Sequence, residues 1–193
     1  MGIAAIGASF VDIKGMPLAP YIPAGRNVGR VEIVHGGVCR NVAEDIAHMG
    51  LRPSFISLVD ESGTGQDVID RLSRAGCDVT YIKKCPQGMG TWLAVFDNSG
   101  DVVASISSRP DLLPLMKVLR EDGDRIFSQA DSVVIEIDMD ESMVREVLAL
   151  AEKWDRQVYA VVSNMSIAME RRGLMGSMGC VVCNLQEAGI LFS

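Results

Sequence analysis

Val34-His35-Gly36-Gly37-Val38-Cys39-Arg40-Asn41-Val42-Ala43-Glu44-Asp45-Ile46-Ala47-His48-Met49-Gly50 is the stretch from which the rest of the chain is read. A β-type run, Val31 to Val34, arrives at a Gly-Gly pair. A helical pattern leaves it, with Val42/Ile46 and Ala43/Ala47 four residues apart and Gly50 placed to stop the helix. Two glycines at a strand-to-helix turn let the backbone approach a ligand closely, because no Cβ stands in the way. The first helical N–H groups have no intrahelical partner, and the helix dipole adds positive potential there. Such a terminus suits an anion or a hydroxyl-rich ligand, and Asn41, one turn in, offers both a donor and an acceptor. The same residues also fit a plain helix entered through a flexible corner.

Before this stretch, Ile3 to Ile6 is a short apolar run followed by Gly7-Ala8-Ser9 and Phe10-Val11-Asp12. It reads as a buried first strand whose carboxyl end delivers Asp12. Open α/β sheets bind ligands beyond that end of their strands. A carboxylate there can accept two sugar hydroxyls, or it can cap local backbone N–H groups. Met16 to Val34 is punctuated by Pro17, Pro20 and Pro23, so it reads as two extended strands joined by a loop. Thr91 to Phe96, a turn at 97–101, and Val102 to Ser107 form a hairpin pattern. A lone hairpin is marginal in water, so the two strand pairs gain by joining into one small sheet. That makes insertions at about 14–34 and 89–108.

After Gly50 the chain alternates. Strands are predicted at Ser54 to Val59, Val79 to Ile82, Ser132 to Ile135, Val158 to Val162 and Gly179 to Cys183, and helices at Gln66 to Ala75, Leu115 to Phe127 and Glu141 to Trp154. The pattern predicts an α/β fold, a doubly wound and mostly parallel sheet carrying a small β lid.

Composition narrows the function. Of 193 residues, 48% are apolar, which is enough for one sizeable core. A net charge of -7 argues against nucleic acid as the main partner, since phosphate neutralisation needs clustered Lys and Arg. The sequence has no apolar run long enough to span a membrane and no signal-peptide start, so a cytoplasmic protein with no membrane partner is expected. The five cysteines (Cys39, Cys77, Cys85, Cys180, Cys183) are read as buried apolar thiols. Cys180 and Cys183 are three apart in a strand pattern, so their sulfurs diverge, and no second pair completes a zinc set.

Two acidic groups follow the strand at Ile135. Period-two geometry lets Glu136 and Asp138 share a face toward a cleft, and Glu136 is favoured, while Asp140 and Glu141 fit the acidic first turn of the next helix. Near the end of the chain, Asn184-Leu185-Gln186-Glu187 fits a capping box, with Asn184 as N-cap and Glu187 at N3.

Gly36-Gly37-x-x-x-Asn41-x-Ala43 followed by Gly50 resembles the N-terminal signature of the PfkB (ribokinase-like) carbohydrate and nucleoside kinases. The Gly-Gly-Val-x-Arg-Asn-x-Ala form of pseudouridine kinases is matched by Gly36, Gly37, Val38, Arg40, Asn41 and Ala43. The resemblance implies transfer of the ATP γ-phosphate to a hydroxyl of a sugar or nucleoside, pseudouridine or a related ribose compound, with Mg²⁺. It implies that Asp12, in a Gly-x-x-x-x-Asp motif beginning at Gly7, holds sugar hydroxyls together with Gly36, Gly37, Asn41 and Glu136. Asn184 and Glu187 match the family's Asn-x-x-Glu motif, which organises hydrated magnesium and the nucleotide phosphates. Glu187 would then reach the metal through water, since Mg²⁺ keeps most of its waters. The two strand pairs correspond to the family's lid, which often forms the interface of a homodimer.

The match has departures. Val59-Asp60-Glu61 stands where the family has Val-Gly-Asp, although Gly65 is in place, and Val161-Val162-Ser163-Asn164 stands where pseudouridine kinases have Asp-Pro. The family's Gly-Ala-Gly-Asp signature, which supplies the anion hole and the catalytic base, is not in the sequence. The expectation is therefore the N-terminal portion of a kinase, inactive alone, with its base beyond Ser193 and with Val181, Val182, Leu191 and Phe192 losing apolar cover. The rival expectation is a non-catalytic sugar- or nucleoside-binding protein that keeps the pocket without ATP. A dinucleotide-dependent dehydrogenase is disfavoured, because no G-x-G-x-x-G follows the first strand.

Overall fold

Apolar runs flanked by amphipathic helices require a sheet covered on both faces, and that is what forms. The structure, a computed structural model, describes residues 2–191. It holds the strands β1 (Ile3–Ile6), β2 (Ser9–Pro17), β3 (Gly29–Gly36), β4 (Ser54–Val59), β5 (Ile82–Lys84), β6 (Met89–Phe96), β7 (Val102–Ser108), β8 (Ser132–Glu136), β9 (Gln157–Val161) and β10 (Cys180–Val182). The helices are α1 (Val38–His48), α2 (Gly63–Ala75), α3 (Leu113–Gln129), α4 (Glu141–Lys153), α5 (Met165–Glu170) and α6 (Leu185–Leu191), with a 3₁₀ turn at Arg172–Ser177.

The main sheet runs in the order β10-β9-β8-β1-β4-β5, with every neighbouring pair parallel. Alternation along β1 sends Ala4 and Ile6 to one face, where Leu115, Leu119 and Phe127 of α3 pack with Met143 and Val147 of α4. Ala5 points the other way, to Cys39 and Ala43 of α1 and Val68 and Leu72 of α2. Two cores separated by one parallel sheet define the doubly wound architecture. The termini of α2 are set locally. The Ser62 side chain accepts from the N–H groups of Thr64 and Gly65, and Gly76 closes the helix at φ +105°. Gly50 likewise follows α1 with φ +84°.

The second sheet is separate, in the order β3-β2-β6-β7. Its two hairpin-like pairs, β2/β3 and β6/β7, are antiparallel, and β2 joins β6 in parallel. The registers carry one row across all four strands, Val34, Asp12, Trp92 and Ser107, with a neighbouring row of Ile33, Ile13, Leu93 and Ile106 on the opposite face.

Several sequence expectations shift. The first strand stops at Ile6, and Asp12 belongs to β2 of the lid sheet, which starts at Ser9. The strand after α2 begins at Ile82, because Asp78 accepts from the N–H and hydroxyl of Thr80 and turns the chain through Val79. Helix α5 falls in a segment where the sequence pattern predicts none, whereas α6 follows the capping box read at Asn184 and Glu187. Leu191 is fully buried in the main core, not uncovered, whereas Val182 is 53% exposed. Phe192 lies outside the described residues. Cys39 and Cys77 are buried thiols as expected, but Cys180 is exposed on the edge strand. No helix among the described residues is long and apolar enough to cross a membrane.

Candidate functional site

The carboxyl edge of the main sheet faces the inner surface of the lid across a cleft of about 710 Å³. Asp12, Trp92 and Ser107 enter it from the lid, and Gly37, Val38 and Asn41 from the start of α1. Glu136 and Asp138 enter from the end of β8, and Ser163 and Asn164 from the turn after β9.

The Gly-Gly corner has two distinct jobs. Gly37 is the N-cap of α1 at φ +102°, ψ 122°, a conformation costly for any residue with a Cβ. Gly36 lies against Asp12 so closely that a Cβ would overlap its carboxylate. The pair therefore turns the chain and makes room for the acid.

Gly37 cannot cap α1 with a side chain, and Glu136 does so instead. Its Oε1 accepts from the N–H of Cys39 at 2.9 Å, and its Oε2 accepts from the N–H of Ala8 at 3.4 Å. Gly7 leaves the space in which this carboxylate sits, since a Cβ there would approach Glu136 Oε1 to 2.8 Å. Burial pushes the Glu136 carboxyl up to about 7, reinforced by the charge of Asp138 and opposed by the two N–H donors and Arg109. Asp138 is held from both sides. Ser163 donates to it from its hydroxyl at 2.6 Å and from its N–H at 3.3 Å, and Arg109 reaches it at 3.4 Å. Ser163, at the expected Asp-Pro position, thus supports the carboxylate that follows β8. Asp12 is raised above the usual carboxylate range by burial, against the opposing charges of Lys14 and Arg40.

Asn41 stands at the cleft wall with its Oδ1 accepting from Arg40 Nη1 at 2.7 Å. The cleft thus combines carboxylate acceptors, amide, hydroxyl and guanidinium donors, and the aromatic rings of Phe10 and Trp92. That set suits a ligand with several hydroxyls and a planar apolar part.

Of the residues singled out from sequence, Asp12, Gly37, Asn41 and Glu136 line this cleft, and Gly36 abuts Asp12 behind it. Asn184 and Glu187 do not line it. They form the reciprocal capping box of α6, with the Asn184 N–H donating to Glu187 Oε2 at 2.7 Å and the Glu187 N–H to Asn184 Oδ1 at 2.8 Å. Among the described residues no cluster of three His, Cys, Asp or Glu forms a ready metal site. Sequence reading missed Phe10, Trp92, Ser107, Arg109 and Ser163. Strand alternation carried the signal for Trp92 and Ser107, but using it required the β2/β6 pairing.

Comparison with known proteins bears on the family and the fold. The family model of the pfkB family carbohydrate kinases matches residues 2–193. Guanosine-inosine kinase of Exiguobacterium acetylicum is 34% identical over 190 residues, covering 98% of this chain and 63% of the relative. Pseudouridine kinase of Escherichia coli K12 is 26% identical over 106 residues, covering 53% of this chain and 33% of the relative. Fructokinase with bound ATP from Xylella fastidiosa superposes with a TM-score of 0.77 at 16% identity, covering 98% of this chain and 63% of that one. The chain thus spans under two thirds of the length of these relatives. With its family signature, fold and lid all in place, the chain belongs to the pfkB family of carbohydrate kinases.

Proposed function

We propose that the whole protein transfers the γ-phosphoryl group of ATP to a ribose hydroxyl of a nucleoside, with purine nucleosides of the guanosine and inosine type as the first candidates. The observation that carries the reading is the shared row of Asp12, Trp92 and Ser107 on the lid, facing Asn41 across the cleft. Asp12 and Asn41 engage ribose hydroxyls, and Phe10 and Trp92 offer flat apolar surface for a base. The similarity to guanosine-inosine kinase supports a nucleoside over a simple sugar.

Phosphoryl transfer depends mainly on positioning and on stabilising charge. Asn184 and Glu187 stand just past β10, two strands from β8 along the same carboxyl edge, which is roughly 10 Å at the usual strand spacing. Asn184 and Glu187 would hold a nucleotide with Mg²⁺ there, beside the nucleoside. Glu187 commits Oε2 to its capping bond, and a carboxylate with lone pairs on both oxygens still reaches a hydrated cation through water. The metal would neutralise phosphate charge. In the 193-residue chain, Glu136 and Asp138 are held by internal donors. The chain alone is proposed to bind nucleoside without turning it over.

The outer row of the lid, Ile33, Ile13, Leu93 and Ile106, is proposed as the face of a two-fold dimer. Ile33 and Ile106 are 66% and 70% exposed, and an apolar row of this kind marks an interface. Trp92 and Phe96 do not belong to that face. Both alternate to the inner side of the sheet, where their rings meet edge to face at 6.2 Å.

The test is calorimetry and an ATP-consumption assay on the full-length protein with guanosine, inosine, pseudouridine and fructose. Saturable nucleoside binding and ATP-dependent turnover are expected. Fructose binding without nucleoside binding would overturn the nucleoside reading, and nucleoside binding without turnover would leave a binding protein.

A further inference from the structure

The helix that carries Asn41 also carries a buried cation. Arg40 is 2% exposed, and on the residue next to a ligand-facing amide such burial is costly. Its Nη1 donates to Asn41 Oδ1 at 2.7 Å. Its Nη2 lies 2.6 Å from Glu44 Oε2, one turn on, in a charge contact off the hydrogen-bond axis. Glu44 Oε1 in turn accepts from Arg71 Nε of α2 at 2.7 Å. Burial alone would raise the Glu44 carboxyl, but Arg71 and Arg40 outweigh it and hold the group below the usual carboxylate range. The three residues form a chain of alternating charge that runs from α2 to the cleft.

We propose that Arg40 is a positioning residue that fixes the polarity of Asn41, so that its Nδ2, a hydrogen-bond donor, is the group this side chain turns to the cleft. The argument is one of chemistry. A guanidinium has five donors and no acceptor, so only the amide oxygen can face it. Flipping Asn41 would set NH₂ against N–H. With Oδ1 turned to Arg40, Nδ2 is the group left for the ligand. The ligand atom opposite Asn41 must therefore accept, and a hydroxyl that accepts there can pass its own hydrogen to a carboxylate such as Asp12. Hydroxyl-bearing ligands meet that pattern, and ligands offering an N–H or ammonium at this point do not. Glu44 and Arg71 keep the guanidinium from rotating away, so the polarity is set before the ligand arrives.

The inference rests on the cleft being a nucleoside site, and the experiment separates the two. Guanosine binding to the full-length protein is measured by calorimetry for wild type, Arg40→Met, Asn41→Ala and the double variant. Arg40→Met is expected to weaken binding about tenfold in the wild-type background and under about twofold once Asn41 is alanine, the non-additivity of a residue acting through another. Equal losses in both backgrounds would overturn the proposal. Should Arg40→Met fail to fold, Arg40→Lys keeps a cation for Glu44 but loses the planar fork, and reads the same cycle. Asn41→Asp keeps the oxygen that faces Arg40 and removes the NH₂. It should retain the melting temperature and lose binding, and retained binding would sink the donor requirement. If wild type binds no nucleoside, the functional reading fails, and side-chain amide NMR then decides the local claim. The Asn41 NH₂ resonance, assigned by its loss in Asn41→Ala, should shift in the Arg40 variant. An unchanged resonance would show that Arg40 does not hold the amide.

Discussion

Glu136 makes the stability of this fold depend on pH in an unusual direction. Its carboxyl is raised from an ordinary value of 4.5 to about 7, chiefly by burial. For an acid whose folded value lies above its unfolded one, the protonated form favours folding. The stabilisation is complete below 4.5, falls as pH rises through the window from 4.5 to 7, and is gone above it. The shift corresponds to about 3 kcal/mol, of which roughly 2 kcal/mol falls between about pH 5.5 and 8. That range also stays above the sequence pI of about 4.8, where low net charge promotes precipitation. Replacing Glu136 by Gln removes the titration while keeping an oxygen for the N–H of Cys39. The measurement is denaturant unfolding of wild type and Glu136→Gln across this range, read as the difference between the two. The variant is expected to gain about 2 kcal/mol on wild type from the acid end to the alkaline end, a relative shift of roughly 4–8 °C in melting temperature for a chain of this size. Parallel pH profiles would refute the reasoning, because they would mean that Glu136 titrates alike in the folded and unfolded states.

Gly36→Ala sets a methyl where the Asp12 carboxylate lies. It is expected to weaken nucleoside binding by about 1–3 kcal/mol, the scale of a lost hydrogen bond to a charged group, as read by calorimetry on a folded variant. Ser163→Ala removes the 2.6 Å donor to Asp138 and should cost about 1–3 kcal/mol in denaturant unfolding, since a buried carboxylate loses its shortest partner. An unchanged midpoint would show that Asp138 is satisfied without it. Leu93→Glu places a charge in the middle of the outer apolar row and should convert a dimer to a monomer by light scattering at micromolar concentration. A wild-type mass equal to that of the variant would remove the lid as the interface.

Much of this was legible one residue at a time. The alternation of apolar runs with amphipathic helices announced the doubly wound sheet, because covering a parallel sheet on both faces demands that pattern. Local chemistry was equally readable. Gly76 and Gly50 end helices where they were expected to, and Asn184 and Glu187 close the capping box that their spacing allows. Gly36-Gly37 and Asn41 pointed to a helix start that opens onto the cleft, since a bare turn and unpaired first-turn N–H groups are properties of adjacent residues.

What sequence could not place were relations between segments far apart in the chain. Asp12 looked like the end of β1, yet it belongs to the lid, because β2 pairs with β6 some 80 residues later, Asp12 opposite Trp92. Only that register decides that Trp92 and Ser107 face the cleft while Leu93 and Ile106 face outward. Nor could spacing reveal the second use of Glu136. A carboxylate at a strand end reads as a ligand contact, and only the fold adds that it also sits under the N–H groups of Ala8 and Cys39, more than 90 residues away. Helix caps and turns depend on neighbours within a few residues, and the sequence by itself determined them. Which carboxylate the lid brings to the cleft, and which one holds the turn that shapes it, depended on strand register and burial, which exist only once the chain has folded.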